Sequence, residues 1–299
     1  MDRTDIQLFL SIVRLSSITK AAELMHFTQS TVSYRLKSME KELNVLLFFR
    51  KKGQRTSELT KYGEQFVPIA EQWAVLYQDT QDLQYFPNNL LTVGAIGSIS
   101  STILADVYTA VSNGDTPLRM RVITGYSDEI YELVESHEAD IGFIAEPSQR
   151  KNIITTPLFN QKYYVVRYAK YPSVIRRLDP KDLNPKHEIY MYWGGNYDQW
   201  HRGLWDTTSM YYACVDTISL LEAFLTDERY WAIVPGSLIR SFPRNANMQI
   251  DELNLENPYM RTCYMIKHQN PKPSRIDGIA CFEKTLGQVL ANIPDIELV

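Results

Sequence analysis

Along the first 45 or so residues the apolar positions fall into three helical registers. Ile6, Phe9, Leu10 and Val13 recur at i, i+3, i+4 and i+7, which gathers them on one face of a helix. After Ser16 and Ser17 a second short helix carries Ala21, Ala22, Leu24 and Met25, and its two alanines permit close approach of another helix. Thr28 is a predicted N-cap, its hydroxyl free to accept from an orphan amide of a third helix anchored by Val32, Leu36, Met39 and Leu43. Phe48 and Phe49 then run into a basic turn, Arg50, Lys51, Lys52, Gly53, Gln54 and Arg55, between strand-like pieces. From Thr60 to about Leu83, Phe66, Ile69, Ala70, Trp73, Leu76 and Tyr77 mark one long helix of about 24 residues, or about 36 Å.

Beyond Phe86, Pro87, Asn88 and Asn89, a hinge by composition, strand-like runs alternate with helical ones. Leu91 to Ile96 precedes a helix from Ile103 to Val111, Met120 to Thr124 precedes a helix from Asp128 to Ser136, and Ile141 to Ala145 follows. This alternation predicts an α/β sheet with crossover helices. Such sheets bind ligands beyond the carboxyl ends of their strands. That rule selects the hydroxyl-rich stretch from Gly97 to Thr102, placed where amides favour an anionic or polar group, and the turn Gly125, Tyr126, Ser127. The serines could equally serve as helix caps.

The chain has 299 residues, enough for about two domains at about 150 residues each. Its net charge of −4 is unevenly spread. Residues 1–62 hold 11 Lys and Arg against 6 Asp and Glu, a balance of +5, and the remainder is at −9. A basic head on an acidic body is the footprint of a protein whose head alone meets phosphate. No run of about 18 apolar residues occurs, and Met1, Asp2 and Arg3 do not open a signal peptide, so a cytoplasmic protein with no membrane association is expected. Cys214, Cys263 and Cys281, odd in number and set among apolar or aromatic neighbours, suit buried thiols in a reducing compartment.

The outer face of the third helix shows Thr28, Gln29, Ser30, Thr31, Ser33, Tyr34, Arg35 and Lys37. Short hydrogen-bonding groups come first and cations later, the order a recognition helix needs if its N-terminal residues read bases and longer side chains reach phosphate. A merely solvated face is the alternative. The basic turn, with Arg50, Lys51, Lys52 and Arg55, suits a wing lying along the DNA backbone. Ala21-Ala22, Leu24, Gln29, Val32-Ser33, Leu36, Met39-Glu40, Leu43, Leu47-Phe48, Arg50, Leu59-Thr60 and Gly63 together resemble the N-terminal signature of LysR-type transcriptional regulators. The chain departs from that pattern with Ser30 where Pro is usual, Thr31 where Ala is frequent and Asn44 where Gly is usual. Asn tolerates the left-handed backbone a helix end requires. The basic turn is also about two residues longer than the commonest family form.

The resemblance implies an α/β protein with an N-terminal winged helix-turn-helix at residues 1–59 and a linker, or dimerisation, helix and hinge at 60–87. Residues 88–299 would form a two-lobed effector-binding domain of periplasmic-binding-protein type, lobe I at about 88–163 and 266–299 and lobe II at about 164–265. Its expected partners are double-stranded DNA at a near-palindromic operator, a small-molecule effector, and copies of itself as a homodimer through the linker helix and a homotetramer. RNA polymerase is a further candidate partner. Candidate effector-binding residues are Ser98, Ser100, Ser101, Gly125, Ser127, Trp193 and Pro235. Tyr230 and Trp231 replace small residues and are expected to crowd the pocket, and the aromatic stretch Tyr190 to Tyr212 offers an aromatic wall.

No catalytic constellation is legible. Gly94 and Gly97 lack the third glycine and acidic residue of a dinucleotide fingerprint, and no serine elbow is present. His26, His137, His187, His201 and His268 are dispersed without paired cysteines, so neither a metal nor a cofactor is expected. Two readings remain beside the regulator: a transporter's solute-binding protein, which would need export, and a regulator whose body serves only assembly.

Overall fold

The computed structural model describes residues 1–49, 58–82, 90–114, 118–205, 211–242, 247–294 and 296–299. The chain divides into two compact units, the first within residues 1–88 and the second from 89 to the C-terminus, with 272–274 counting in the first.

In the first unit, α1 (Arg3–Leu15) starts at Asp2, whose Oδ1 accepts from Asp5 N at 3.0 Å while Asp2 N donates to Asp5 Oδ2 at 2.8 Å. This reciprocal box satisfies two donors at the helix start. α2 (Ile18–Leu24) is capped by Ser17, and α3 (Gln29–Leu43) by Thr28, whose Oγ1 accepts from Thr31 N at 3.2 Å. Asn44 ends α3 in the left-handed region at φ 54°, as its side chain allows. The buried stripe of α1 is wider than the sequence suggests. Leu8 and Ile12 are fully buried beside Ile6 and Phe9, while Leu10 and Val13 are only partly covered. The reason is that α1 packs against α2 and α3 and also against the fourth helix.

Phe48 pairs antiparallel with Leu59, and Phe49 N donates to Glu58 O at 2.9 Å, forming the stem of a hairpin. Glu40, 5% exposed, holds this stem: its Oε1 accepts from Leu47 N at 2.9 Å and Phe48 N at 3.3 Å. α4 (Lys61–Asp82) follows, with Thr60 Oγ1 accepting from Gly63 N at 3.1 Å. Phe66, Val67 and Ala70 enter the head's core, Phe66 meeting Phe9 edge-on at 4.9 Å. Part of the predicted stripe therefore packs on the head itself. Ile69 and Leu76, with Tyr62, stay more than half exposed at seven-residue spacing.

In the second unit, β1 (Leu90–Ala95) pairs in parallel with β2 (Arg119–Thr124) and β3 (Ile141–Ile144). Between them run α6 (Ile103–Ser112) and α7 (Ser127–Glu135), as the alternation of periods predicts, and the short α5 (Gly97–Ser100), a turn of helix within the hydroxyl-rich stretch that the alternation did not predict. β4 (Ile153–Tyr168) then runs for 16 residues. The chain continues through β5 (Arg177–Leu178), β6 (Ile189–Met191), α8 (Gly195–Arg202), β7 (Ala213–Val215), α9 (Ile218–Phe224), β8 (Trp231–Pro235), α10 (Gly236–Ile239) and β9 (Met248–Leu253). It returns by β10 (Met260–His268), α11 (Ile276–Leu290) and β11 (Glu297–Leu298). The main sheet has the order β2-β1-β3-β10-β4-β9-β5, with β8 and β11 also on β4, and β6 and β7 form a separate parallel pair.

Among the described residues three buried clusters lie along this sheet, one of them, with Ile130, Tyr131, Val134, Ile144 and Ile266, under α7. Val93, Leu104, Val107, Phe143, Phe282 and Leu286 belong to the first lobe, and the last helix returns to it. Val165, Val166, Tyr190, Tyr197, Ile233 and Val234 belong to the second. β4 and β10 cross from one to the other, paired antiparallel from Met260 opposite Lys162 to His268 opposite Ile153.

Candidate functional site

On α3, Thr28, Gln29, Ser30, Tyr34 and Lys37 are exposed, Tyr34 by 74%, and Thr31 and Ser33 are half-buried. Thr28 Oγ1 lies 2.8 Å from both Ser30 Oγ and Thr31 Oγ1, so the two departures from the usual pattern are tied into the cap. Arg35 is placed differently from its neighbours. Its Nη1 donates to Asp5 Oδ1 at 2.7 Å and to Asp2 Oδ2 at 3.3 Å, and its guanidinium lies 5.9 Å from the Phe27 ring centre, so it faces the start of α1. Arg50, Lys51, Lys52 and Arg55 lie outside the described residues, as does the hinge Phe86 to Asn89.

In the second unit a cavity of about 660 Å³ opens beyond the carboxyl ends of β1, β2 and β3. The first lobe contributes Ser98, Thr124, Gly125, Tyr126, Ser127 and Glu146. The second contributes Tyr192, Trp193, Cys214, Asp216 and Leu220, and β10 supplies Arg261. Because β1, β2 and β3 run in parallel, the loops that follow them emerge at one end of the sheet and meet here.

Of the candidate effector residues, Ser98, Gly125, Ser127 and Trp193 line this cavity. Ser98 Oγ accepts from Arg261 Nη1 at 3.0 Å, and Ser127 Oγ accepts from Ala145 N at 3.4 Å. Trp193 is held by its Nε1, which donates to Ile233 O at 2.8 Å. Ser100, Ser101 and Pro235 lie off the lining. Ser100 is buried with its hydroxyl 3.2 Å from Tyr108 OH, Ser101 Oγ donates back to Gly97 O at 2.8 Å, and Pro235 is engaged in β8 opposite Tyr163.

Tyr230 and Trp231 do not crowd the cavity. Trp231 is 3% exposed, donates from Nε1 to Asn184 O at 3.0 Å and packs on Trp205, while Tyr230 lies against Tyr212 at 4.4 Å between ring centres. Among the eight aromatics of the 190–212 stretch only Tyr192 and Trp193 reach the lining. Trp200 instead stacks with Tyr163 and Tyr259, Tyr197 packs tilted on Tyr163, and Tyr190 packs tilted on Tyr197, all on the second-lobe side. Burial raises the Tyr163, Tyr190 and Tyr197 hydroxyls well above the ordinary phenol range, consistent with a packing role. The cysteines divide: Cys263 is buried, Cys281 half-buried, and Cys214 exposed on the cavity lining.

Glu146 and Arg261 are the functional candidates that sequence reasoning missed. Glu146 Oε1 accepts from Gly195 N, across the cavity mouth, and Gly194 at φ 118° makes room: a Cβ there would lie 2.7 Å from the Glu146 carboxyl carbon. Arg261 carried a legible signal, because it shares the period-2 face of Cys263 and Met265 and so is a charge on a strand's inward side.

A helix-turn-helix on one unit and a two-lobed cleft on the other define a DNA-binding regulator that senses a small molecule. Residues 4–64 match the family model for bacterial regulatory helix-turn-helix proteins of the lysR family, and residues 86–280 match that of the LysR substrate binding domain. The chain therefore belongs to the LysR family of transcriptional regulators, with a helix-turn-helix DNA-binding domain followed by an effector-binding domain. Among its relatives are the HTH-type transcriptional regulator YofA of Bacillus velezensis, 22% identical over 85% of this chain and 87% of that one. CzcR of Bacillus subtilis is 28% identical over 57% of this chain and 59% of its own length. The fold is shared with full-length OxyR from Pseudomonas aeruginosa (TM-score 0.60, 20% identity, 96% and 94% of the two chains). It is shared also with full-length CbnR complexed with its target DNA (TM-score 0.53, 16% identity, 97% and 100%). Among the described residues no helix is long and apolar enough to cross a membrane.

Proposed function

We propose that this chain is a transcriptional switch in which the cavity between the lobes holds the effector and the exposed start of α3 reads the operator. The observation that carries the reading is the cavity itself, at the ends of three parallel strands and lined from both lobes, in a chain that also bears a helix-turn-helix. On the head, Gln29, Ser30, Thr31, Ser33 and Tyr34 face bases, Lys37 and the turn with Arg50, Lys51, Lys52 and Arg55 meet phosphate, and Thr28 shapes the helix start.

The exposed Tyr62, Ile69 and Leu76 stripe supports a homodimer through α4, and pairs of dimers would grip a near-palindromic operator as a homotetramer. The protein works in the cytoplasm, contacts RNA polymerase at the promoter, and has no catalytic role. For the effector to act as a switch, it must bind one arrangement of the heads better than another.

Footprinting on a selected operator tests this. Gln29→Ala is expected to cost about 1–3 kcal/mol of discrimination at a single base pair. A small molecule that protects the second unit from unfolding should change the footprint. An unaltered site preference in Gln29→Ala, together with identical footprints at saturating ligand, would overturn the reading.

A further inference from the structure

Among the described residues Arg261 meets no counter-charge. It is 4% exposed, and within those residues its Nη1 reaches only the neutral hydroxyl of Ser98 and its buried Nε has no hydrogen-bond partner. Its guanidinium lies 5.6 Å from the Trp193 ring centre, and among the described residues no carboxylate comes within ion-pair distance of it. Guanidinium stays ionised in proteins, and burying it unpaired is strongly unfavourable. The same unit treats another buried charge differently: Asp251, fully buried, receives Arg167 and Arg176 at 3.0 Å each. Arg261, by contrast, lines the cavity.

We propose that Arg261 is the docking point for the carboxylate of a monocarboxylic effector whose apolar body lies against Trp193. The proposal rests on the cavity being the effector site. A planar carboxylate matches the guanidinium fork and supplies the missing counter-charge. Trp193, Tyr126, Ile218 and Leu220 offer the body an apolar and aromatic lining. Glu146 and Asp216 line the same cavity and repel a second negative charge, which selects against dicarboxylates and phosphate dianions.

The test is isothermal titration of the full-length protein with phenylacetate, 3-phenylpropionate, 4-phenylbutyrate and hexanoate, each beside its primary amide. At least one acid is expected to bind wild type tenfold or more tighter than its amide. Arg261→Gln should abolish that preference, whereas Leu220→Trp, which fills the cavity, should weaken acid and amide alike. Arg261→Lys keeps the charge but not the fork, and should still prefer acids while binding them at least threefold more weakly.

Acids and amides binding wild type equally, or none of the acids binding, overturns the carboxylate assignment. So does an acid preference that survives in a folded Arg261→Gln, or one that vanishes in Arg261→Lys. Sensitivity to Leu220→Trp in those cases leaves the cavity as the ligand site. Acid binding indifferent to both Leu220→Trp and Arg261→Gln removes the cavity reading as well.

Discussion

Arg35 Nη1 donates to Asp5 Oδ1 at 2.7 Å and thereby ties the middle of α3 to the first turn of α1. The Asp5 side chain is 12% exposed and Arg35 31%, so the pair is half shielded from water. Arg35→Ala takes the guanidinium from Asp5, whose Oδ2 still accepts from Asp2 N, and is expected to lower the stability of the head by about 1 kcal/mol in urea denaturation. Its remaining DNA affinity should keep the wild-type salt slope. Lys37→Ala, on the exposed face, should leave stability unchanged and reduce the slope of log K against log salt by about 0.9. A flattened slope in Arg35→Ala would mean that the side chain leaves Asp5 for phosphate.

The same junction sets a dependence on acid. The hydrogen bond from Asp5 N, and after it Arg35, hold the Asp2 carboxyl below its ordinary value of 3.8. A carboxylate with a depressed folded pKa adds stability that is complete above the unfolded value and fades as pH falls through the folded one. The head should therefore lose this contribution below about pH 3.8. Asp2→Asn should flatten that part of the stability profile, as followed by circular dichroism, with little change at pH 7 beyond loss of the ionic cap.

Gly63 reverses the usual sign of a helical glycine replacement. Gly→Ala in a helix ordinarily gains about 0.5–1 kcal/mol. Here an added Cβ would lie 2.1 Å from Leu47 O, the carbonyl that accepts from Thr60 N at 2.9 Å. Neither backbone can yield without opening the hairpin stem. Gly63→Ala is expected to destabilise the first unit by about 2 kcal/mol or more, visible as a lowered melting temperature.

Burial pushes the Cys263 thiol up to about 11, whereas Cys214 is exposed on the cavity lining. At pH 7 only about one in ten thousand Cys263 side chains is thiolate, and none is accessible to a reagent. Iodoacetamide should modify Cys214 first and Cys263 only on unfolding, as peptide mass spectrometry would show. Modification of Cys263 at the rate of Cys214 would contradict its burial.

The sequence made the local elements legible because their physics is local. Thr28 caps the helix it was expected to cap, Asn44 takes the left-handed turn, and the first three strands of the body fall within a residue or two of their apolar runs. What escaped depends on contacts distant in sequence. Arg35 looks like any basic residue on an outer face until Asp5, 30 positions earlier, is brought beside it. Ser100 and Ser101 share a hydroxyl-rich stretch with Ser98, but the short turn of α5 directs only Ser98 into the lining. The bulk of Tyr230 and Trp231 was legible and its direction was not, because partners such as Asn184 and Trp205 decide that direction.

The long antiparallel ladder of β4 and β10 is mechanically selective. Sliding one strand past the other by a single residue would turn every side chain to the opposite face, Arg261 among them, and break each rung at once. Bending costs far less, since the rungs need only tilt. The ladder thus acts as a leaf spring joining the lobes, stiff in shear and compliant in flexure. Because Gln161, directly opposite Arg261, also accepts from Ser237 N at 3.0 Å, a pull on that arginine is delivered to the spring at a point anchored in the second lobe.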